Sequence, residues 1–303
     1  MTERQGLAAR LAKERNVLIL AHYYQTMDIQ EIAHVVGDSF TMAKKAAAAR
    51  EDVLLVCGVR FMAETAKLLA PDKTVLLPVP DAGCPMADMI EAEDVLRMRE
   101  QYPGAAVVCY VNSSAAVKAV SDICCTSSSA VRMVRSLEQD EIIFVPDRNL
   151  GAYVASQTPE KRIHLYDGYC PIHHIAAERD ALAAREAHPD AALLVHPECR
   201  PEVVRLADGV GSTEYILNTV EAAPEGAEFI IGTEEGVVRR LERTAPGRRC
   251  YLLRAGFTCV NMKKTTLEDV CRALETLAPR VELDAGTADQ ARVCLEHMVA
   301  VQP

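Results

Sequence analysis

Val17-Leu-Ile-Leu-Ala21-His22, Ala105-Ala-Val-Val-Cys109-Tyr110 and Ala192-Leu-Leu-Val195-His196 share one pattern: a short, continuous apolar run closed by a histidine or a tyrosine. The closing residues lie 88 and 86 residues apart. Runs of this length and branching read as strands buried on both faces. Recurrence at a fixed spacing means that one supersecondary unit is used three times. After each opening strand comes a helix-like stretch, clearest at Ile29, Ile32, Ala33 and Val36, spaced i, i+3, i+4, i+7. Hydroxyl residues then mark a helix start: Asp38-Ser39, Thr126-Ser-Ser-Ser129 and Ser212-Thr213. A further helix and a second strand follow, at 53–59, 141–145 and 228–231. A third helix leads to a last strand, at 74–80, 162–166 and 249–254, and then to a loop carrying Cys84, Cys170 or Cys259.

Strands alternating with helices specify an α/β fold of parallel sheets covered on both faces. Right-handed crossovers place all strand C-termini of a sheet on one edge, where ligands gather and helix N-termini point. The boundaries read as 1–86, 87–174 and 175–262, related by a pseudo-threefold axis. Residues 3–15 and 266–301 read as helices, with capping patterns at Thr266-Leu-Glu-Asp269 and Thr287-Ala-Asp-Gln290. The C-terminal region 263–303 is expected to pack on the first unit.

The chain has 303 residues and a net charge of −10, which argues against a nucleic-acid partner. Its apolar runs are too short to cross a membrane, and the charged start lacks a signal-peptide core, so a cytoplasmic protein is expected.

Eleven cysteines without a Cys-x-x-Cys pair argue for free thiols or metal ligands. Cys57, Cys109, Cys124, Cys125, Cys199, Cys250, Cys271 and Cys294 read as small buried hydrophobes. Cys84, Cys170 and Cys259, spaced 86 and 89 residues apart, differ: each follows a glycine in a loop, at Gly83, Gly168 and Gly256. A closed metal site wants about four protein ligands, so one thiol per unit is a poor plan for three sites. One thiol from each of three units is a good plan for a single four-iron cluster with one iron left open. Such an iron is a Lewis acid suited to dehydration.

The strand ends supply partners for that chemistry. His22-Tyr-Tyr24 offers two acid–base groups, and Tyr110-Val111-Asn112 offers a hydroxyl and an amide. In His196-Pro197-Glu198, the glutamate either meets a partner or has its pKa raised toward a useful base. Ser39, Ser127, Ser212 and Thr213 stand at helix starts, where amides and hydroxyls bind anions without net positive charge. His173, three residues after Cys170, touches substrate or cluster, or merely packs.

Taken together, His22-Tyr-Tyr-Gln25, Tyr110-Val-Asn112, Thr126-Ser-Ser128, His196-Pro-Glu-Cys199, Gly211-Ser-Thr213 and the cysteine spacing resemble the quinolinate synthase family over nearly the whole chain. The form resembled has a single cysteine at the third ligand position. The resemblance implies three Rossmann-like units around one [4Fe-4S] cluster held by Cys84, Cys170 and Cys259. It implies condensation of iminoaspartate with dihydroxyacetone phosphate to quinolinate, with loss of phosphate and water, in NAD biosynthesis. It also suggests a partner enzyme that supplies the iminoaspartate. Carried across, His22, Ser39, Tyr110, Asn112, Ser127, His196, Glu198 and Thr213 line the substrate site, with Val111, His173, Pro197 and Ser212 beside them. Glu198, Tyr24 and His22 are the candidates for proton transfer. After Gly211-Ser-Thr213 this chain carries Glu214-Tyr215, where family members often have small residues. Two other readings use the same residues: an aconitase-like hydro-lyase acting on one hydroxy acid, and a non-enzymatic protein that holds a metal or an anion.

Overall fold

The structure, a computed structural model, describes residues 2–300. After α1 (Glu3–Glu14), the first sheet is built by β1 (Val17–His22), α2 (Met27–Gln30), β2 (Val35–Gly37), α3 (Ser39–Ala47), β3 (Val53–Cys57), α4 (Arg60–Leu69) and β4 (Thr74–Leu76). The second follows with α5 (Ala92–Gln101), β5 (Ala106–Tyr110), α6 (Ala115–Ala119), β6 (Ile123–Cys125), α7 (Ala130–Ser136), β7 (Glu141–Val145), α8 (Arg148–Gln157) and β8 (Arg162–Leu165). After α9 (Pro171–His174), which ends the second unit, the third has α10 (Glu178–Ala187), β9 (Ala192–Val195), α11 (Pro201–Val204), β10 (Gly209–Val210), α12 (Thr213–Ala222), β11 (Glu228–Gly232), α13 (Glu235–Thr244) and β12 (Arg249–Leu252). Helices α14 (Leu267–Thr276) and α15 (Ala285–Ala300) close the chain.

Each sheet is parallel with the same order: β2-β1-β3-β4, β6-β5-β7-β8 and β10-β9-β11-β12. This is the α/β architecture expected, and the order is that of Rossmann-like units. The chain leaves the central strand first to one side and then to the other, so a crevice opens at the C-terminal end of the central pair. Registers agree across the sheets: Val17 to Ala21 pair with Val53 to Cys57, and Ala106 to Cys109 with Ile142 to Val145. In the third sheet, Ala192 to Val195 pair with Phe229 to Gly232. All three central strands are buried on both faces apart from isolated half-buried positions, as their unbroken apolar runs require.

Each sheet carries one strand more than the sequence pattern shows. β2, β6 and β10 are two or three residues long, too short for a periodic signal, and a side chain just before each fixes it. His34 Nδ1 accepts from the Ile19 N–H at 3.0 Å. Asp122 and Asp208 accept from the Val107 and Leu193 N–H groups, both at 2.7 Å. The backbone N–H groups of His34, Asp122 and Asp208 donate back to the carbonyls of those same strand residues. Val36, expected on a helix with Ile29 and Ile32, therefore lies in β2. The helix ends after one turn because the strand must begin.

The C-terminal region does not serve the first sheet alone. α14 packs on α1 and β3, with Val270 and Leu274 fully buried. α15 instead lies across α4, α6 and β6, where Ala291, Leu295 and Met298 join a core shared by the first two sheets. Thr266 caps α14 as expected, but α15 begins earlier than Thr287 suggests. Asp284 accepts the Thr287 N–H at 3.0 Å and acts as its cap.

Replacing Asp122 by Ala leaves the buried Val107 N–H without its acceptor. Stability should fall by about 1–3 kcal/mol, read as a lower midpoint in urea unfolding; an unchanged midpoint would show that the reciprocal pair does not hold β6.

Candidate active site

The C-terminal ends of β1, β5 and β9 meet around one cavity of roughly 680 Å³, counted to its mouth. From the first sheet come His22, Tyr24, Ser39 and Cys84. The second adds Tyr110, Asn112, Ser127, Cys170 and His173, and the third adds His196, Glu198, Thr213 and Cys259. Val111, Pro197 and Ser212 do not line it. Val111 is buried with its N–H on the Cys125 carbonyl, Pro197 is buried in the chain leaving β9, and Ser212 caps α12.

One backbone hydrogen bond, present in all three units, brings the cysteines to this place. The first residue of α4, α8 and α13 donates its N–H to the carbonyl two residues before the cysteine. These bonds are Arg60 to Ala82, Arg148 to Gly168 and Glu235 to Phe257, each 2.8 Å. Glycine is required for different reasons. A side chain at Gly168 would meet the Pro146 carbonyl at 2.6 Å, and Gly256 has φ +91°. Gly83 has neither constraint. Backbone N–H groups donate to each sulfur: Met86 and Ala87 to Cys84, His173 to Cys170, and Asn261 and Met262 to Cys259. Burial nevertheless pushes all three thiols up, Cys84 to about 12. The backbone donors favour the thiolate that a metal binds, and a bound cation would offset the cost of burying it. Among the described residues, Cys170, His173 and Glu198 also bring one donor atom each within 4.8 Å of one another.

Glu198 is the electrostatic centre. Burial alone would raise its carboxyl, but His196 and His173 beside it and hydrogen bonds from His173 and Tyr110 outweigh that and hold it at about 2. Of the two outcomes open from sequence, it meets partners. His173 Nδ1 lies 2.5 Å from Glu198 Oε2 and His196 Nδ1 lies 3.6 Å away. His22 and His196 share a local geometry: the N–H two residues on, of Tyr24 and Glu198, donates to the ring Nδ1 at 3.1 and 3.3 Å. Both rings are therefore neutral Nε2–H tautomers, and burial first of all holds each pKa at about 3.

A hydrogen-bonded chain runs from Glu198 into the pocket wall. His173 donates to Glu198 through Nδ1 and accepts from the Thr233 hydroxyl through Nε2, at 3.0 Å. Thr233 accepts from the Tyr24 phenol at 2.8 Å, and Tyr24 accepts from Thr213 at 3.1 Å. Burial raises Tyr24 and Tyr110 well above the usual phenol range, so both keep their protons. Thr233 is fully buried just past β11. Nothing in its local sequence separates it from an ordinary strand-end threonine.

The three hydroxyl sets differ from one another. Asp38, not Ser39, caps α3 by accepting from the Thr41 N–H at 2.9 Å, which leaves the Ser39 hydroxyl to the cavity. Ser212 caps α12 and is consumed by the Tyr215 N–H. Of α3, α7 and α12, only α7 starts without a side-chain cap bond, beside Thr126 and Ser127. Asn112 Oδ1, shielded from solvent, has no partner. Glu214 accepts from the Thr41 hydroxyl at 2.8 Å and so ties α12 to α3, while Tyr215 fills the space over Gly211. The apolar wall of Phe61, Met62, Met86 and Met262 carries no periodic or motif signal in the sequence.

Fold and cavity together define a three-sheet α/β enzyme with one central site, equipped to hold a metal through cysteine. A family model described as quinolinate synthetase A protein matches residues 8–300. Similar proteins, both named quinolinate synthase, occur in Methanoregula boonei and Caldicellulosiruptor saccharolyticus. The first is 52% identical over 96% of each chain, and the second 51% identical over 95% of each. The chain belongs to the quinolinate synthetase A family.

His22 and His196 stay neutral in the folded protein down to about pH 3, whereas in the unfolded chain each takes a proton below its ordinary value of 6.5. A depressed folded pKa gives stability that is present above pH 6.5 and lost as pH falls toward 3. At about pH 5, His196→Asn should lower the number of protons taken up on unfolding by about one, as read from the slope of stability against pH. An unaltered slope would mean that His196 is charged when folded.

Proposed function

We propose that this chain condenses iminoaspartate with dihydroxyacetone phosphate to quinolinate, with loss of phosphate and water, as a quinolinate synthase of NAD biosynthesis. The carrying observation is that Cys84, Cys170 and Cys259, each from a different sheet, face the same cavity as Glu198, Tyr24 and the neutral histidines. Relatives bearing the name quinolinate synthase match nearly end to end at about half identity.

The donor set fits a [4Fe-4S] cluster. Three sulfurs from three units line one cavity, each receiving backbone N–H groups. The three cysteines do not form a group tight enough for one ion, as Cys170, His173 and Glu198 do. Cys84, Cys170 and Cys259 would hold the cluster, and its open iron would supply Lewis acidity toward a substrate oxygen.

The protein's own groups then do the binding and proton work. The Nε2–H groups of His22 and His196 and the Tyr110 phenol suit substrate carboxylates, and the unpaired Asn112 Oδ1 can accept from a substrate N–H or O–H. The uncapped start of α7 with Ser127, together with the free hydroxyl of Ser39, suits the phosphate. Tyr24 gives up its proton through Thr233 to the His173–Glu198 pair, so a phenol of raised pKa need not ionise alone. Glu198, kept as a carboxylate, orients His173 and offsets the charge that its ring takes on when the proton arrives. The units 1–86, 87–174 and 175–262 each contribute one wall. A cytoplasmic location and an enzyme delivering the unstable imine nearby complete the reading.

Protein purified without oxygen should carry about four irons per chain and form quinolinate from the two substrates. Cys84→Ala should lose the cluster. Glu198→Gln should keep the iron while kcat falls by about 100-fold or more. Turnover of a lone hydroxy acid in place of the pair would instead identify a hydro-lyase, and zinc without sulfide would identify a binding protein.

A further inference from the structure

Behind two of the three cysteines stands a fully buried carboxylate with two duties. Asp147 is the residue before α8. Its Oδ1 caps that helix, accepting from the Asn149 and Leu150 N–H groups at 2.8 and 2.9 Å. Its Oδ2 accepts from the backbone N–H of Cys170 at 3.1 Å. Glu234 stands before α13 in the third unit. Its Oε2 accepts from the Gly236 N–H at 2.6 Å, and its Oε1 accepts from the Cys259 N–H at 3.2 Å. Lys263 adds a charged contact at 3.1 Å. Both carboxylates have zero exposure.

The division of labour is the same although one side chain is longer by a methylene. A serine or asparagine would cap a helix as well, without burying a carboxyl group. What the second oxygen adds is a hold on the cysteine loop. In the first unit the equivalent residue is Val59, which has no side-chain acceptor, and Cys84 N–H finds none among the described residues.

We propose that Asp147 and Glu234 are positioning residues for the metal centre, fixing Cys170 and Cys259 through their backbone amides, a support that the Cys84 amide lacks. This rests on the cysteines binding an iron–sulfur cluster, as proposed above. Groups behind metal ligands set their orientation and the retention of the metal. Two cysteine amides with a side-chain acceptor and one without give a centre supported on two sides more than on the third.

The test uses the cluster-loaded protein under anaerobic conditions, with iron release to a chelator followed by absorbance and three-iron species followed by electron paramagnetic resonance. Asp147→Ser keeps a helix cap and removes the second oxygen; Glu234→Ser does the same in the third unit. Each should release iron about tenfold faster or more, with a three-iron signal appearing earlier, while the iron-free protein melts within a few degrees of the parent. Asp122→Ala, which loses a buried amide acceptor away from the cysteines, is the control and should release iron at the parent rate. Parent-like release in both serine variants overturns the assignment, as does equally fast release in the control. A parent protein that takes up no iron and sulfide overturns the cluster reading as well; a loaded parent with indifferent variants overturns this inference alone.

Discussion

A single backbone hydrogen bond, repeated in three places, organises this molecule. Where the third helix of each unit begins, its first N–H reaches the carbonyl two residues ahead of a cysteine. That contact pulls the loop beyond the edge strand back toward the centre of the sheet edge. Without it, Cys84, Cys170 and Cys259 would leave the short strands β4, β8 and β12 toward solvent. With it, three loops far apart in sequence converge where β1, β5 and β9 end. Parallel pairing supplies the other half of the constraint, since it sends every strand end to the same side.

The resulting cavity gives an acidic protein a pocket lined with hydrogen-bond donors. Cation side chains are scarce in its lining, and the available donors are neutral: imidazole Nε2–H, phenol and hydroxyl groups, and amides at a helix start. Burial maintains this state by keeping His22 and His196 uncharged and Tyr24 and Tyr110 protonated. Glu198 is the exception, a buried carboxylate surrounded by enough donors to stay ionised. One charge among neutral groups anchors the hydrogen-bonded chain and fixes the orientation of His173.

Repetition has not made the units identical. The helix starts are capped by Asp38, left open at α7, and capped by Ser212, so three similar sequences yield three different surfaces toward the cavity. The supports behind the cysteines are likewise unequal, with Asp147 and Glu234 in two units and Val59 in the first. Glu214 adds a tie between two of the units, hydrogen-bonding Thr41 at the helix ends nearest the pocket.

The strand-end residues, the three special cysteines and the α/β class were legible in the sequence because each rests on a local signal: an unbroken apolar run, a glycine before a thiol, a repeat of fixed length. The two- and three-residue strands β2, β6 and β10 were not, because pairing partners rather than their own residues define them. Thr233 and the carboxylates Asp147 and Glu234 were equally silent, since an N-cap or a strand-end threonine looks alike whatever lies across from it. The amino-acid order by itself determined which elements form and which side chains stand at their ends. Tertiary packing alone decided that His173, Tyr110 and His196, from three places in the chain, surround one carboxylate, and therefore its charge. Ionisation depends on burial and on neighbours distant in sequence, and neither exists until the three sheets close on one another.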